Sequence, residues 1–259
     1  MNRRSFMGSL GSIGTLTSMG LAEPAIEKRR VFVLEQYFLK NGTQPGRIND
    51  YVSKAALPAL SKVHAGPKMV LESLLAPHMP QVAMILGFQS IEELMSVRSK
   101  LLTDKDLSKA LEEWENHPEQ PYEHFSTALL EATDYCPEVA PEPTPREKPR
   151  IFELRTYHSP TWRQLKALHE RFAGPEIKIF HRVGVRPILY TSTMVGPNMP
   201  NLTYVIPFDD LAAREKAWNA FGADPEWVKV RKESIDRHGQ ISSVSQISLY
   251  RAAAYSPIR

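Results

Sequence analysis

The chain has 259 residues, of which 42% are apolar, enough for a real core in one large domain or two ordinary ones. Its formal charge of +3 includes Arg3 and Arg4; 32 basic residues less these two leave 30 against 29 acidic ones, a balance that removes the electrostatic footing for nucleic-acid binding. The single cysteine, Cys136, excludes an internal disulfide and a thiolate metal cluster.

Residues 1–22 open with Arg3-Arg4-Ser5-Phe6, continue through a weakly apolar run and reach small residues at Gly20 and Ala22. This pattern predicts a twin-arginine export signal cleaved near Ala22, and with it a periplasmic or extracellular destination. The run is too short and too polar to span a bilayer, so no stable membrane insertion is expected after cleavage.

Residues 28–137 form the first predicted unit, with strands near 31–38, 68–75, 81–88 and 122–131 and helices near 46–63, 90–102 and 104–116. Residues 138–149 hold a proline-rich, charged stretch that reads as an extended linker. Residues 150–259 form the second unit. A strand at 151–157 leads to a helix after Ser159-Pro160, broken at Gly174-Pro175 and resumed to Gly184. Strands at 185–194 and 202–208 follow, with Pro207 expected to end pairing because it lacks a ladder donor. Asp209 or Asp210 then caps a helix that runs to Gly222, with Leu211, Trp218 and Phe221 inward and Arg214 toward water. Asp224-Pro225 starts another helix, and a strand at 241–250 closes the unit.

The two units repeat. Arg30–Tyr37 and Arg150–Tyr157 share one pattern, and Met79-Pro80, Phe88 and Tyr135 each recur 120 positions later, at Met199-Pro200, Phe208 and Tyr255. Strand, helix, strand, strand, helix, strand is the split β-α-β order, so the predicted class is α+β. Two ferredoxin-like βαββαβ units are expected to pair, open sheet to open sheet, as an intrachain dimeric α/β barrel.

The segments FELRTY at 152–157, FDDLAAREKAWNAFGADPEW at 208–227 and YSP at 255–257 resemble the NIPSNAP family. The first unit is a divergent copy: it keeps FQSIEEL at 88–94 but has no counterpart of Asp224-Pro225-Glu226-Trp227. The resemblance implies the dimeric α/β-barrel superfamily, which includes cofactor-independent monooxygenases, small-molecule isomerases and haem-binding enzymes. It does not by itself imply a reaction.

Glu153, Arg155 and Tyr157 alternate onto one face of the first strand of the second unit, where they could line a polar pocket or form an ion-pair ladder. With Tyr204, Trp218 and Trp227 they are the candidate ligand-binding residues, and His181, at a helix end, is the candidate proton acceptor. His169 shares a stripe with Trp162, Leu165 and Phe172 and reads as a hydrogen-bonded histidine at the edge of the core. The chain has no glycine-rich phosphate loop, GxSxG, HExxH or CxxC, and its histidines lack ligand spacing, so no metal is expected. Haem on a lone axial histidine leaves no spacing signature and stays open. The functional expectation is a small hydrophobic or oxygenated ligand held in the second unit. The alternatives are a non-enzymatic partner-binding protein, including a homodimer, and a monooxygenase-like or haem-binding enzyme.

Overall fold

A computed structural model describes residues 29–140 and 149–259. The expected export signal, and most of the expected linker, lie outside the described residues. The first repeat contains strands β1 (Val31–Phe38), β2 (Lys68–Leu75), β3 (Gln81–Phe88) and β4 (His124–Ala132). Its helices are α1 (Gln44–Tyr51), α2 (Leu57–Val63), α3 (Ile91–Leu102) and α4 (Lys105–Glu115). The second repeat contains β5 (Ile151–His158), β6 (Leu189–Val195), β7 (Asn201–Phe208) and β8 (Val244–Ala252), with α5 (Trp162–Arg171), α6 (Ile177–Val183), α7 (Leu211–Ala223) and α8 (Pro225–His238).

The eight strands close into one barrel in the order β1-β3-β2-β8-β5-β7-β6-β4. Within each repeat this is the ferredoxin-like order, and the repeats meet at two antiparallel seams, β2 with β8 and β4 with β6. The expected pairing is thus made edge to edge as well as face to face. Backbone hydrogen bonds cross both seams, so neither sheet keeps an unpaired edge. The helix-free faces of both sheets become the lumen, where Phe32, Leu34, Met69, Phe152, Leu154, Val205 and Tyr250 are buried together. A separate core lies between each sheet and its own helices, so every strand is buried on both sides for part of its length.

Local signals account for most element ends. Asp210, rather than Asp209, caps α7 by accepting from the Ala213 amide at 2.7 Å, and Asp224 caps α8 by accepting from the amides of Glu226 and Trp227. Gly184 ends α6 at φ 92°, in the left-handed region that glycine enters without a Cβ penalty. Three expectations are corrected. Pairing of β7 with β5 runs through Pro207 to Phe208, because β6 stops pairing at Val205 and Pro207 lies where β7 has one neighbour instead of two. β6 begins at Leu189, not 185, after Pro187. Leu211 is exposed, whereas Arg214 turns inward.

Each repeat also carries a π-helical turn between its first two helices, at Val52–Ala56 and Phe172–Glu176. The second includes Gly174 and Pro175, so the expected break there is a kinked turn within a continuous run. Such turns widen a helix by one residue and recur beside functional sites. Both lie over the helix-covered face of their sheet.

Candidate functional site

The strand alternation places Glu153, Arg155 and Tyr157 beneath α5–α8, away from the lumen. Glu153 is 0% exposed and fully engaged. Arg155 Nε donates to one of its oxygens, Arg214 Nε donates to the other at 2.6 Å, and Trp218 Nε1 donates to it at 3.0 Å. Arg155 Nη1 also donates to the Tyr157 hydroxyl at 2.8 Å, and its guanidinium lies 3.6 Å from the Trp218 ring centre. A carboxylate with two guanidinium partners and an indole N–H is satisfied from within the protein. Around this network, Phe172 meets Phe180 and Tyr204 edge to face, Phe180 meets Phe221 in the same way, and Trp227 tilts over Phe221 with centroids 4.3 Å apart.

Glu176, in the π-helical turn, accepts from Arg171 Nε at 2.6 Å. Burial pushes its carboxyl up to about 7 despite the opposing charge of Arg171.

The structure therefore brings together six of the seven expected site residues, with their side chains packed against one another and against the neighbouring rings. His181 stands apart from them, exposed in the last turn of α6. Its imidazole is held below the usual histidine range by desolvation and by the charge of Arg186.

The open space lies under the helices of the first repeat. There a cavity of about 620 Å³ is lined by Glu35, Tyr37, Tyr51, Met84, Arg98 and Leu101, among others. Its origin is visible when residues 120 positions apart are compared. Val52, Leu60, Met84, Arg98, Leu101 and Leu107 stand where the second repeat has Phe172, Phe180, Tyr204, Trp218, Phe221 and Trp227. Six rings are replaced by five aliphatic side chains and one arginine that reaches the surface. The ion-pair network is absent as well, since Val33, Leu94 and Ala56 replace Glu153, Arg214 and Glu176.

One carboxylate remains in this apolar chamber. Glu35 accepts from the Tyr37 hydroxyl at 3.4 Å. Burial raises its pKa, partly opposed by the Tyr37 hydrogen bond and the positive charge of Arg98. Tyr51, stacked on Trp114 with centroids 4.5 Å apart, has its phenol pushed up to about 12 by burial and by the charges of Glu115 and Glu35. The site can accept a hydrophobic molecule and offer it one carboxyl and two phenols.

A second, more open cavity of about 830 Å³ lies at the β4–β6 seam beside α5. His169 faces it, with Nδ1 2.8 Å from the Tyr135 hydroxyl and Nε2 2.8 Å from the Ser192 hydroxyl, as expected of a hydrogen-bonded histidine at the core edge. Burial pushes its imidazole down to about 4, so the ring is neutral near pH 7. Among the described residues no group of side chains could hold a metal ion, and no helix is long and apolar enough to cross a membrane.

The closed eight-stranded barrel with helices outside makes this a dimeric α/β-barrel protein with both halves in one chain. Residues 152–257, within the second repeat, match the sequence profile of the NIPSNAP family. No curated protein matches the chain in sequence. Among solved structures it is similar to an anthrone oxidase-like protein, at 12% identity and TM-score 0.55 over 88% of this chain and 92% of the other. It is also similar to a provisionally assigned monooxygenase from Fusobacterium nucleatum, at 10% identity and TM-score 0.56 over 88% and 94%. A provisionally assigned chlorite dismutase is similar at 12% identity and TM-score 0.52 over 89% and 97%. At these identities the likeness is one of fold.

Proposed function

We propose that the protein binds a small hydrophobic, oxygen-bearing molecule between the sheet and helices of the first repeat, and that Glu35 is the group that exchanges a proton with it. The observation that carries this reading is the loss of six rings at equivalent positions around this cavity, only partly offset by Tyr51 and Phe125, which stand where the second repeat has Arg171 and Ser245. The space opens to solvent on one side, and a ligand seated there would bury apolar surface that otherwise faces water. Its largely apolar wall favours an organic molecule over water.

Inside such a wall a carboxyl with a raised pKa can take a proton from a phenol or an acidic C–H near neutral pH. The oxidase and monooxygenase names of the structural relatives make an aromatic, oxygenated ligand a sensible first choice. They do not supply a reaction, and turnover is a separate question from binding. The cavity lining contains no histidine, so haem held through an axial histidine does not fit there.

Titration with 1-naphthol, followed by its fluorescence, tests the reading. Saturable binding is expected for the native chain and for Trp227→Leu in the second repeat, and loss of binding for Met84→Tyr and Leu60→Phe in the first. Binding that survives both ring insertions sinks the proposal. The Arg3-Arg4 segment further supports export of the folded protein. Cell fractionation tests that: the protein in the periplasm with Arg3 and Arg4 intact, and in the cytoplasm when both are changed to lysine.

A further inference from the structure

The lumen of the barrel is apolar at one end and polar at the other. Inward-facing positions at the polar end line a cavity of about 410 Å³. None of the lining side chains is an aspartate, glutamate, lysine or arginine. The polar groups come in pairs from equivalent positions of the two repeats: Gln36 with Thr156, Gln81 with Asn201, and Ser126 with Gln246. The helix-side chambers diverge between the repeats, whereas this end of the lumen is built from amides and hydroxyls on both sides.

One of those groups is left wanting a donor. Gln81 is only 2% exposed; its backbone N–H donates to Ser73 Oγ at 2.9 Å, but its side-chain Oε1 has no hydrogen-bond partner in the structure. A buried amide oxygen without a donor is costly, on the order of 1–3 kcal/mol, and a ligand hydroxyl would remove that cost. The Phe38 and His124 rings lie nearly parallel at the same end, with centroids 4.1 Å apart and 10° between their planes. Their edges and faces give the wall an apolar portion suited to ring C–H groups.

We infer that the polar end of the lumen is a second binding site, distinct from the first-repeat cavity, for an uncharged, hydroxyl-rich small molecule such as a monosaccharide or cyclic polyol. A charged ligand is disfavoured because no opposite formal charge lines the wall. A purely apolar ligand is disfavoured because it would leave the Gln81 oxygen without a donor. Gln36, Ser126 and Gln246 supply donors and acceptors to the ligand, and Gln81 Oε1 accepts from a ligand hydroxyl once its side chain turns toward the lumen.

Saturation-transfer NMR on the full chain, with D-glucose, myo-inositol and glycerol as probes and acetate and tetramethylammonium as controls, tests this site. Transfer is expected to at least one hydroxylated probe and to neither ion. Ser126→Phe, which projects a ring into the lumen away from the first-repeat cavity, should abolish it. Gln81→Leu should weaken it by about tenfold, the loss of one buried hydrogen bond. Circular dichroism and 1-naphthol binding report whether each variant is folded and keeps its other cavity. Absence of transfer to every hydroxylated probe, equal transfer to the ions, or full transfer in folded Ser126→Phe overturns the inference. Failure of 1-naphthol binding with sugar binding intact would instead count against the first-repeat reading alone.

Discussion

Met84 on β3 and Tyr204 on β7 occupy the same position of the two repeats, and where Met84 borders an open chamber, the Tyr204 ring packs against Phe172 with centroids 5.6 Å apart. The difference between a cavity and a core is set at such pairs. Both repeats share the backbone plan, so side-chain differences at such pairs decide where each has room.

The Glu153 network gives the first prediction. Glu153→Val installs the residue of the first repeat, Val33, and strands Arg155, Arg214 and the Trp218 N–H. Breaking a buried pair in this way typically costs about 3–5 kcal/mol. Adding Arg214→Leu, the counterpart of Leu94, should return part of the loss. Urea denaturation of the two single variants and the double variant measures the coupling, and additive effects would contradict the network.

Glu176 sets a pH dependence. Its carboxyl is pushed up to about 7 in the folded state against an ordinary value of 4.5, so the native state binds more protons between those values. Stability is therefore expected to fall as pH rises from about 4.5 to about 7 and to level off above. Glu176→Gln should flatten this limb, and thermal melts across that range would show it. A limb unchanged in the variant would assign the dependence to another group.

His169 acts in the opposite sense. Its imidazole is held near 4 against an ordinary 6.5, so the unfolded chain binds more protons in that window. Its contribution is lost as pH falls from about 6.5 to about 4, by on the order of 2–3 kcal/mol. His169→Gln should reduce the acid sensitivity of unfolding while weakening the link from Tyr135 to Ser192. If the variant and native proteins lose stability in parallel below pH 6.5, the neutral buried imidazole is contradicted.

Glu35 is the fourth case. Because burial raises its pKa, Glu35→Gln should raise stability on the alkaline side of that titration and remove the contribution of Glu35 to the pH dependence of 1-naphthol affinity. The neutral amide keeps the shape of the carboxyl but cannot take a proton. Affinity that varies with pH in this variant as it does in the native chain would assign the proton exchange elsewhere.

Much of the backbone was legible in the sequence because its signals are local. Alternation marked β1, β5 and β7, and aspartates marked the starts of α7 and α8. The spacing of 120 announced two similar sheets, from which barrel closure followed by the need to bury two open faces. Pro207 was misread because its cost depends on where the neighbouring strand ends, which is a tertiary fact. Arg214 was misread for a similar reason: helical periodicity sees an exposed charge, not a buried carboxylate across the layer.

The cavity proposed as the ligand site lies in the first repeat, whereas the candidate residues read from the sequence lie in the second. The aromatic side chains of the second repeat pack against one another around the Glu153 network. The informative signal was available as the pairing of Met84 with Tyr204, Leu60 with Phe180 and Leu101 with Phe221. Reading those pairs by volume points to the first repeat. What no pairing reveals is that Glu35, standing where Arg155 stands in the second repeat, keeps only a tyrosine hydroxyl and a nearby positive charge as partners in an apolar wall.

The most direct test is a crystal structure of the full chain soaked with 1-naphthol. Density for the ring is expected between β1, β3 and the helices α1–α4, with its hydroxyl directed at Glu35. Density only at the β4–β6 seam or among the aromatic side chains of the second repeat, with the first-repeat chamber holding water alone, would contradict the account.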